Sequence, residues 1–244
     1  MSTRYFVDRP LVFGPVELRG AEAHHLAAVS RLRPGDQVFL FNGDGHEYPA
    51  RVIEISRRCT TLNVVDRKTP ARELGFRLEV AAPLLRGDRG QFLIEKLTEL
   101  GVTHYSPIRA ARSQLHSAAE RAAKLRQHVI EASKQCGRNV LMTIAPATDW
   151  QRYLKSESLP KRKILAHPLP EATGLRTFAS SHPPLDCALA VGPEGGFTEE
   201  EILAAGQAGW MIISLGPRML RVETAALALA ALVALPASPD PGAP

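Results

Sequence analysis

The chain has 244 residues, with 30 Lys and Arg against 25 Asp and Glu, for a net charge of +5. A hydrophobic share of 45% beside 23% charged residues is enough to bury a core, which excludes a disordered or collagen-like chain. Cys59, Cys136 and Cys187 are widely spaced, with no C-x-x-C pair and no His at ligand spacing, so neither a disulfide framework nor a metal site is expected.

The first residues, Met-Ser-Thr-Arg-Tyr-Phe-Val, carry charge and turn formers where a signal peptide needs an apolar run, and a cytoplasmic protein is expected. Residues 4–7, 37–42, 47–55 and 60–65 read as short strands. Between the first two of them, residues 21–32 have apolar positions near helical spacing, and Arg33-Pro34-Gly35-Asp36 stops that helix. Asn42-Gly43-Asp44-Gly45 is a hairpin signal. The polar stretch 66–74, with Pro70, reads as a linker. The expected division is a small β-rich domain over 1–72 and a larger domain over 73–244.

From residue 76 strands and helices alternate: strand 76–82, helix 89–100, strand 104–108, helix 118–134, strands 164–166 and 187–191, helix 199–208, strand 211–215 and helix 223–235. Such alternation predicts a mainly parallel sheet covered by helices. The longest apolar run, 225–235, ends at Pro236 and falls short of the ~20 residues of a membrane span, so it reads as a buried helix and no membrane partner is expected.

Charge is uneven along the chain: residues 1–72 carry +3, 73–163 carry +7 and 164–244 carry −5. Arg and Lys concentrated ahead of a nearly Arg-free last third point to one surface that meets a polyanion and another region with a different task. Three strands run into proline-containing loops: Ala166-His167-Pro168, Val191-Gly192-Pro193-Glu194-Gly195-Gly196 and Leu215-Gly216-Pro217-Arg218. The ends of parallel strands gather on one edge, where ligands bind, and glycine lets backbone amides and carbonyls approach a flat heterocycle such as adenine. A phosphate cradle is disfavoured, because neither nucleotide fingerprint is present and Glu194 puts a negative charge in the loop.

Thr198 and Glu201 form a capping box. Arg218 and Arg221 are a close pair directly before an apolar helix; either they hold an anionic group or an electron-rich base, or they are solvated while Glu223 complements the helix N-terminus. Cys136 has no partnered His nearby in sequence and is not read as a nucleophile, and Gly137 reads as a left-handed helix cap. Arg138 and Asn139, just past that helix, are candidates for contacting nucleic acid. At least one of His24 and His25 is ordinary surface or half-buried packing.

These residues resemble the RsmE family of SPOUT-class methyltransferases, which act on N3 of a uridine in small-subunit ribosomal RNA. The resemblance rests on His24-His25-Leu26 through Asp36, on Lys96-Leu97-Thr98-Glu99-Leu100-Gly101-Val102, on Glu131 through Arg138, and above all on Gly192-Pro193-Glu194-Gly195-Gly196-Phe197 and Leu215 through Ala225. Val222 and Ser30 depart from the pattern. The resemblance implies an α/β knotted fold (a SPOUT-type trefoil knot) preceded by a PUA-like β-barrel domain, and a homodimer acting on small-subunit ribosomal RNA in assembled 30S particles. It implies S-adenosylmethionine as cofactor, held by Leu165, His167, Pro168, Gly192, Pro193, Glu194, Gly195, Gly196, Leu215, Gly216, Arg218, Leu220, Arg221, Thr224 and Ala225. The cationic residues expected to meet RNA are Arg4, Arg31, Arg33, Arg86 and Arg138, with Asn139.

Uracil N3 carries a proton and is a poor nucleophile until that proton leaves, so a site for this chemistry needs a base or donors that stabilise the anion. Arg221 or Arg138 is expected to supply the donors, and Glu223 or Glu194 the base. Two alternatives remain at this stage: a ribose 2′-O-methyltransferase of the same superfamily, and a non-catalytic RNA-binding protein of ribosome assembly.

Overall fold

The structure, a computed structural model, describes residues 4–28, 32–56, 59–113, 122–168, 173–174 and 185–235. They gather into two compact units: one holds the described residues up to Glu73 together with 130–141, and the other holds 74–129 and the chain from Met142 onward.

The first unit is built on a five-stranded sheet of β1 (Arg4–Phe6), β2 (Gly14–Arg19), β3 (Gln37–Phe41), β4 (Tyr48–Ile55) and β5 (Cys59–Val64), in the order β1-β3-β4-β5-β2. Only the β1–β3 pairing is parallel. Alternate residues of β2 and β5 are buried, as one-sided strands require. Val16, Leu18, Val38, Leu40, Val52 and Leu62 pack with Leu26 of α1 (Gly20–Ala28) into the core. The described pairings leave β1 and β2 as edges, so the sheet is an open half-barrel rather than the closed barrel expected. Strand β2 went unread in the sequence because Pro15 lies in it; an edge strand tolerates a missing donor.

Residues 130–141 join this unit for two reasons. Ile130 and Leu141 pack with Phe6 and Phe41, whose rings meet edge-on at 5.4 Å. Buried charges complete the attachment: Glu47 pairs with Arg4 and accepts from Arg72 at 2.8 Å, while Arg4 Nη2 donates to Asn139 Oδ1 at 2.6 Å and to the Arg138 carbonyl at 3.0 Å. Glu73 accepts from Arg138 Nε at 2.9 Å and from the Asn139 amide at 3.0 Å. Buried guanidinium groups persist only when paired in this way.

The second unit is a parallel sheet in the order β11-β13-β10-β12-β6-β7-β8. Its strands are β6 (Leu78–Ala82), β7 (His104–Arg109), β8 (Thr143–Ile144), β10 (Arg162–Ala166), β11 (Thr173–Gly174), β12 (Cys187–Val191) and β13 (Met211–Ser214), with β9 (Thr148–Asp149) beside β7. The central strands β6 and β12 are buried along their whole length, as strands covered on both faces should be. Strand β12 follows β10 and lies between it and β6; β13 then returns to the far side of β10.

Helix α2 (Gly87–Glu99) presents Leu93, Ile94 and Leu97 to the interior, at the spacing of one helical face. Helix α3 (Ala122–Cys136) ends at Gly137, whose φ of 86° is the left-handed cap expected. The short α4 (Trp150–Leu154) and α5 (Glu199–Gln207) bury Trp150, Tyr153, Ile202 and Ala205 against Ala81, Leu165, Ala188 and Ala190. Helix α6 (Val222–Ala234), the apolar run of the sequence, packs on α2, β6 and β12. Among the described residues no helix is long and apolar enough to cross a membrane.

Candidate active site

The three proline-containing loops follow β10, β12 and β13, three neighbouring parallel strands, so their ends meet on one sheet edge. There they enclose a cavity of about 580 Å³, lined by His167 and Pro168, by residues 192–196, by Leu215, Gly216, Arg218, Leu220 and Arg221, and by Ala225 on the first turn of α6. The volume lies within the range of small-molecule sites, about 300–1,000 Å³.

Gly192 is needed for space. A Cβ at that position would stand 2.9 and 3.0 Å from Phe197 ring carbons, and the Phe197 ring is itself packed on Trp150 with centroids 4.7 Å apart. The loop then enters α5 through Thr198 and Glu201, which satisfy each other's amides reciprocally at 2.9 and 3.2 Å. Glu201 also accepts from the Ala111 amide at 2.9 Å, so its carboxylate is structural. Arg112 donates to the Gly195 carbonyl at 2.9 Å and forms part of the cavity wall. Burial, and secondarily the Arg112 charge, lower the His167 pKa below that of an ordinary imidazole, which favours its neutral form.

Leu165, Thr224 and Glu223 do not line this cavity. Leu165 is fully buried two residues before its loop, packed in the core under the sheet, and Thr224 is exposed on α6. Glu223 is buried and held at both oxygens by Arg89 of α2, with Nε to Oε1 at 3.0 Å and Nη2 to Oε2 at 2.7 Å. The third guanidinium nitrogen, Nη1, reaches Glu194 Oε1 at 3.2 Å. The Arg89 hydrogen bonds outweigh burial and hold the Glu223 carboxyl below the usual glutamate range. A carboxylate so stabilised is a poor proton acceptor; Glu194, touched by the same guanidinium through one nitrogen only, is the more exposed of the two acids.

The expected RNA contacts are dispersed. Arg4, Arg138 and Asn139 are buried in the first unit's ionic network, with 6%, 3% and 2% of their surface exposed, so their charges and amide are spent on protein partners. Those three are therefore withdrawn as RNA contacts, and Arg138 as an acceptor-stabilising donor, since its guanidinium is engaged by Glu73. Arg33 is exposed, its amide bonded to Asp36 at 2.7 Å. Arg86 is exposed and lines a second cavity in the second unit. Arg31 lies outside the described residues. Sequence reasoning missed Arg89 and Arg112, which lie more than 80 positions from the loops they hold; no local signal distinguishes them from solvated arginines.

The family described as "RNA methyltransferase domain" matches residues 72–234, and that described as "RNA methyltransferase PUA domain" matches 18–59. The fold and its loop-lined cavity therefore belong to the RNA methyltransferase class. Ribosomal RNA small subunit methyltransferase E of Bacillus subtilis is 30% identical over 92% of this chain and 93% of its own, and that of Rickettsia conorii is 33% identical over 87% and 86%. The crystal structure of ribosomal RNA small subunit methyltransferase E from Neisseria gonorrhoeae bound to S-adenosyl methionine superposes with a TM-score of 0.85 at 32% identity, covering 95% of this chain and 96% of that one. A Legionella pneumophila structure with the cofactor SAM bound gives 0.86 at 29% identity, covering 96% and 97%. The chain belongs to the ribosomal RNA small subunit methyltransferase E family.

Proposed function

We propose that this protein transfers a methyl group from S-adenosylmethionine to N3 of a uridine in small-subunit ribosomal RNA. The observation that carries the reading is the convergence of three loops, in a chain of this family, on one cavity of cofactor size. The residues present fit the donor. Close glycine backbone suits a flat adenine, Arg112, Arg218 and Arg221 suit a carboxylate tail, and a neutral His167 adds no repulsion toward a sulfonium. When bound, the donor supplies an activated methyl group on positively charged sulfur. The chain's task is to hold donor and acceptor in line, which supplies most of the rate in a displacement of this kind.

Several finer features go with the reading. We take the C-terminal chain to be tucked through a loop as a SPOUT-type trefoil knot, supported by the return of β13 across β10 and of α6 onto β12. The half-barrel is read as the PUA-like RNA-binding domain, 1–72, ahead of a catalytic domain, 73–244. A homodimer acting on the assembled small subunit, in the cytoplasm where that RNA resides, completes the proposal.

Mass spectrometry of ribosomal RNA nucleosides, before and after incubation with pure protein and donor, should show one uridine gaining a methyl group at N3. A gain on ribose would favour a 2′-O-methyltransferase, and no gain would remove the enzymatic reading. The charge split adds a second expectation: RNA affinity should fall steeply from 50 to 200 mM salt, because binding is driven by release of cations from phosphates and added salt reduces that gain, while donor affinity stays nearly constant. Filter binding and calorimetry over that range check it, and equal salt slopes would contradict the division of labour.

A further inference from the structure

Resting on the reading above, we infer that Arg89 is a positioning residue for the donor cavity, a strut outside it that holds two of its walls at the spacing the donor needs. All three guanidinium nitrogens are used. Nε and Nη2 grip the two oxygens of Glu223 at 3.0 and 2.7 Å, and Nη1 reaches Glu194 Oε1 at 3.2 Å. Glu223 stands on the first turn of α6, two residues after Arg221 and two before Ala225, and both of these line the donor cavity. Glu194 belongs to the loop after β12, which lines the same cavity. Among the described residues, Arg89 does not line that cavity, so its hold on each wall is exerted from outside.

The strut has a rigid foot. Helix α2 carries Arg89 in its first turn, is anchored by the buried Leu93, Ile94 and Leu97, and packs on α6. That first turn is also pressed onto the chain leaving β6: Gly90 is buried, and a Cβ there would collide with the Leu85 carbonyl oxygen. A side chain rooted in a packed helix holds a loop more precisely than the loop holds itself. The two carboxylates differ in burial, which orders the grip. Glu223, nearly sealed from water, fixes the plane of the guanidinium through a bidentate pair, and that plane aims Nη1 at the exposed Glu194. Arg112 donates to the carbonyl of Gly195, the residue after Glu194, so two adjoining residues of the loop are held from two different elements.

A donor that finds both walls in place binds without having to order them. Where a site is competent for only a fraction of the time, its apparent dissociation constant rises by the inverse of that fraction. Cutting the strut therefore weakens donor binding, and transfer from donor already bound changes little.

Arg89→Ala should raise the calorimetric dissociation constant of S-adenosylmethionine, and the donor KM with it, about 10-fold at a temperature where the variant is folded, while kcat at saturating donor stays within about threefold. A residue that only stabilised the fold would leave both constants at their wild-type values. A double-mutant cycle reads the route: Arg89→Ala added to Glu194→Ala should weaken donor binding by less than about twofold further, because one end of the strut is already cut. Arg89→Met, which keeps the stem and lacks the fork, gives the same readings should Arg89→Ala fail to fold. Wild-type donor affinity in the folded Arg89 variant, a loss confined to kcat, or losses that multiply in the double variant would each overturn the assignment. If the wild-type protein binds no S-adenosylmethionine, the functional reading fails instead; if it binds and transfers and the Arg89 variants bind equally well, only the strut fails.

Discussion

Gly192→Val should cut methyl transfer about 100-fold, with donor affinity falling in parallel. The substituent has nowhere to go: its Cβ alone would stand 2.9 and 3.0 Å from the Phe197 ring and 3.3 Å from the Phe197 amide nitrogen. That ring cannot retreat, because it is 3% exposed and lies between the loop and Trp150. The loop must therefore move, and with it residues 192–196, which wall the larger cavity. Overpacking of this kind also costs about 1–3 kcal/mol of stability. Calorimetry with S-adenosylmethionine and a single-turnover assay measure the two effects, and thermal unfolding shows that the variant is still folded at assay temperature. Wild-type donor affinity in Gly192→Val would mean that the loop is not the donor wall.

Why that loop could be found from sequence, and other parts of the site could not, has a physical basis. Glycine and proline act on the backbone where they stand, so strand ends marked Gly-Pro announce a turn locally, and the alternation of strands and helices places those turns on one edge. The capping box of Thr198 and Glu201 was legible for the same reason, its partners being three residues apart. Charge carries no such local mark. Arg138 reads as a surface cation beside a helix end, yet its partner Glu73 lies 65 positions away and turns it into a buried structural group. Arg89 looks equally ordinary, and only the folded chain brings it between Glu194 and Glu223. Leu165 stands near a loop that lines the cavity, yet its side chain is packed in the core, and adjacency in sequence does not settle which way a side chain points. The half-barrel had a similar blind spot, since residues 130–141 join it through apolar and ionic contacts that no spacing rule forecasts.

Arg89→Ala should lower the unfolding temperature of the second unit at neutral pH, by an amount that shrinks in acid. The substitution leaves the Glu223 carboxylate, 9% exposed, without its bidentate partner. Stranding a buried charge costs about 3–5 kcal/mol when both partners are deep. Here Arg89 is 40% exposed, so solvent screens the pair and about 2 kcal/mol is the better expectation. In a protein of this length that is about 4–8 °C. Trp150 and Trp210, the protein's two tryptophans, both belong to the second unit, so their fluorescence reports its unfolding. The sign of the pH effect follows from the direction of the shift. Glu223 has a lowered pKa in the folded protein, so its contribution is fully present above the ordinary glutamate value of about 4.3 and is lost as pH falls through the lower folded value. The gap between wild type and Arg89→Ala should therefore be widest near pH 7 and close progressively below about pH 4. Glu223→Gln provides the control: it should lose stability at neutral pH and show no such narrowing of its own on adding Arg89→Ala, because no titratable carboxylate remains. A gap that stays constant from pH 7 to pH 3 would show that Arg89 stabilises the fold through packing of its stem rather than through its charge on Glu223.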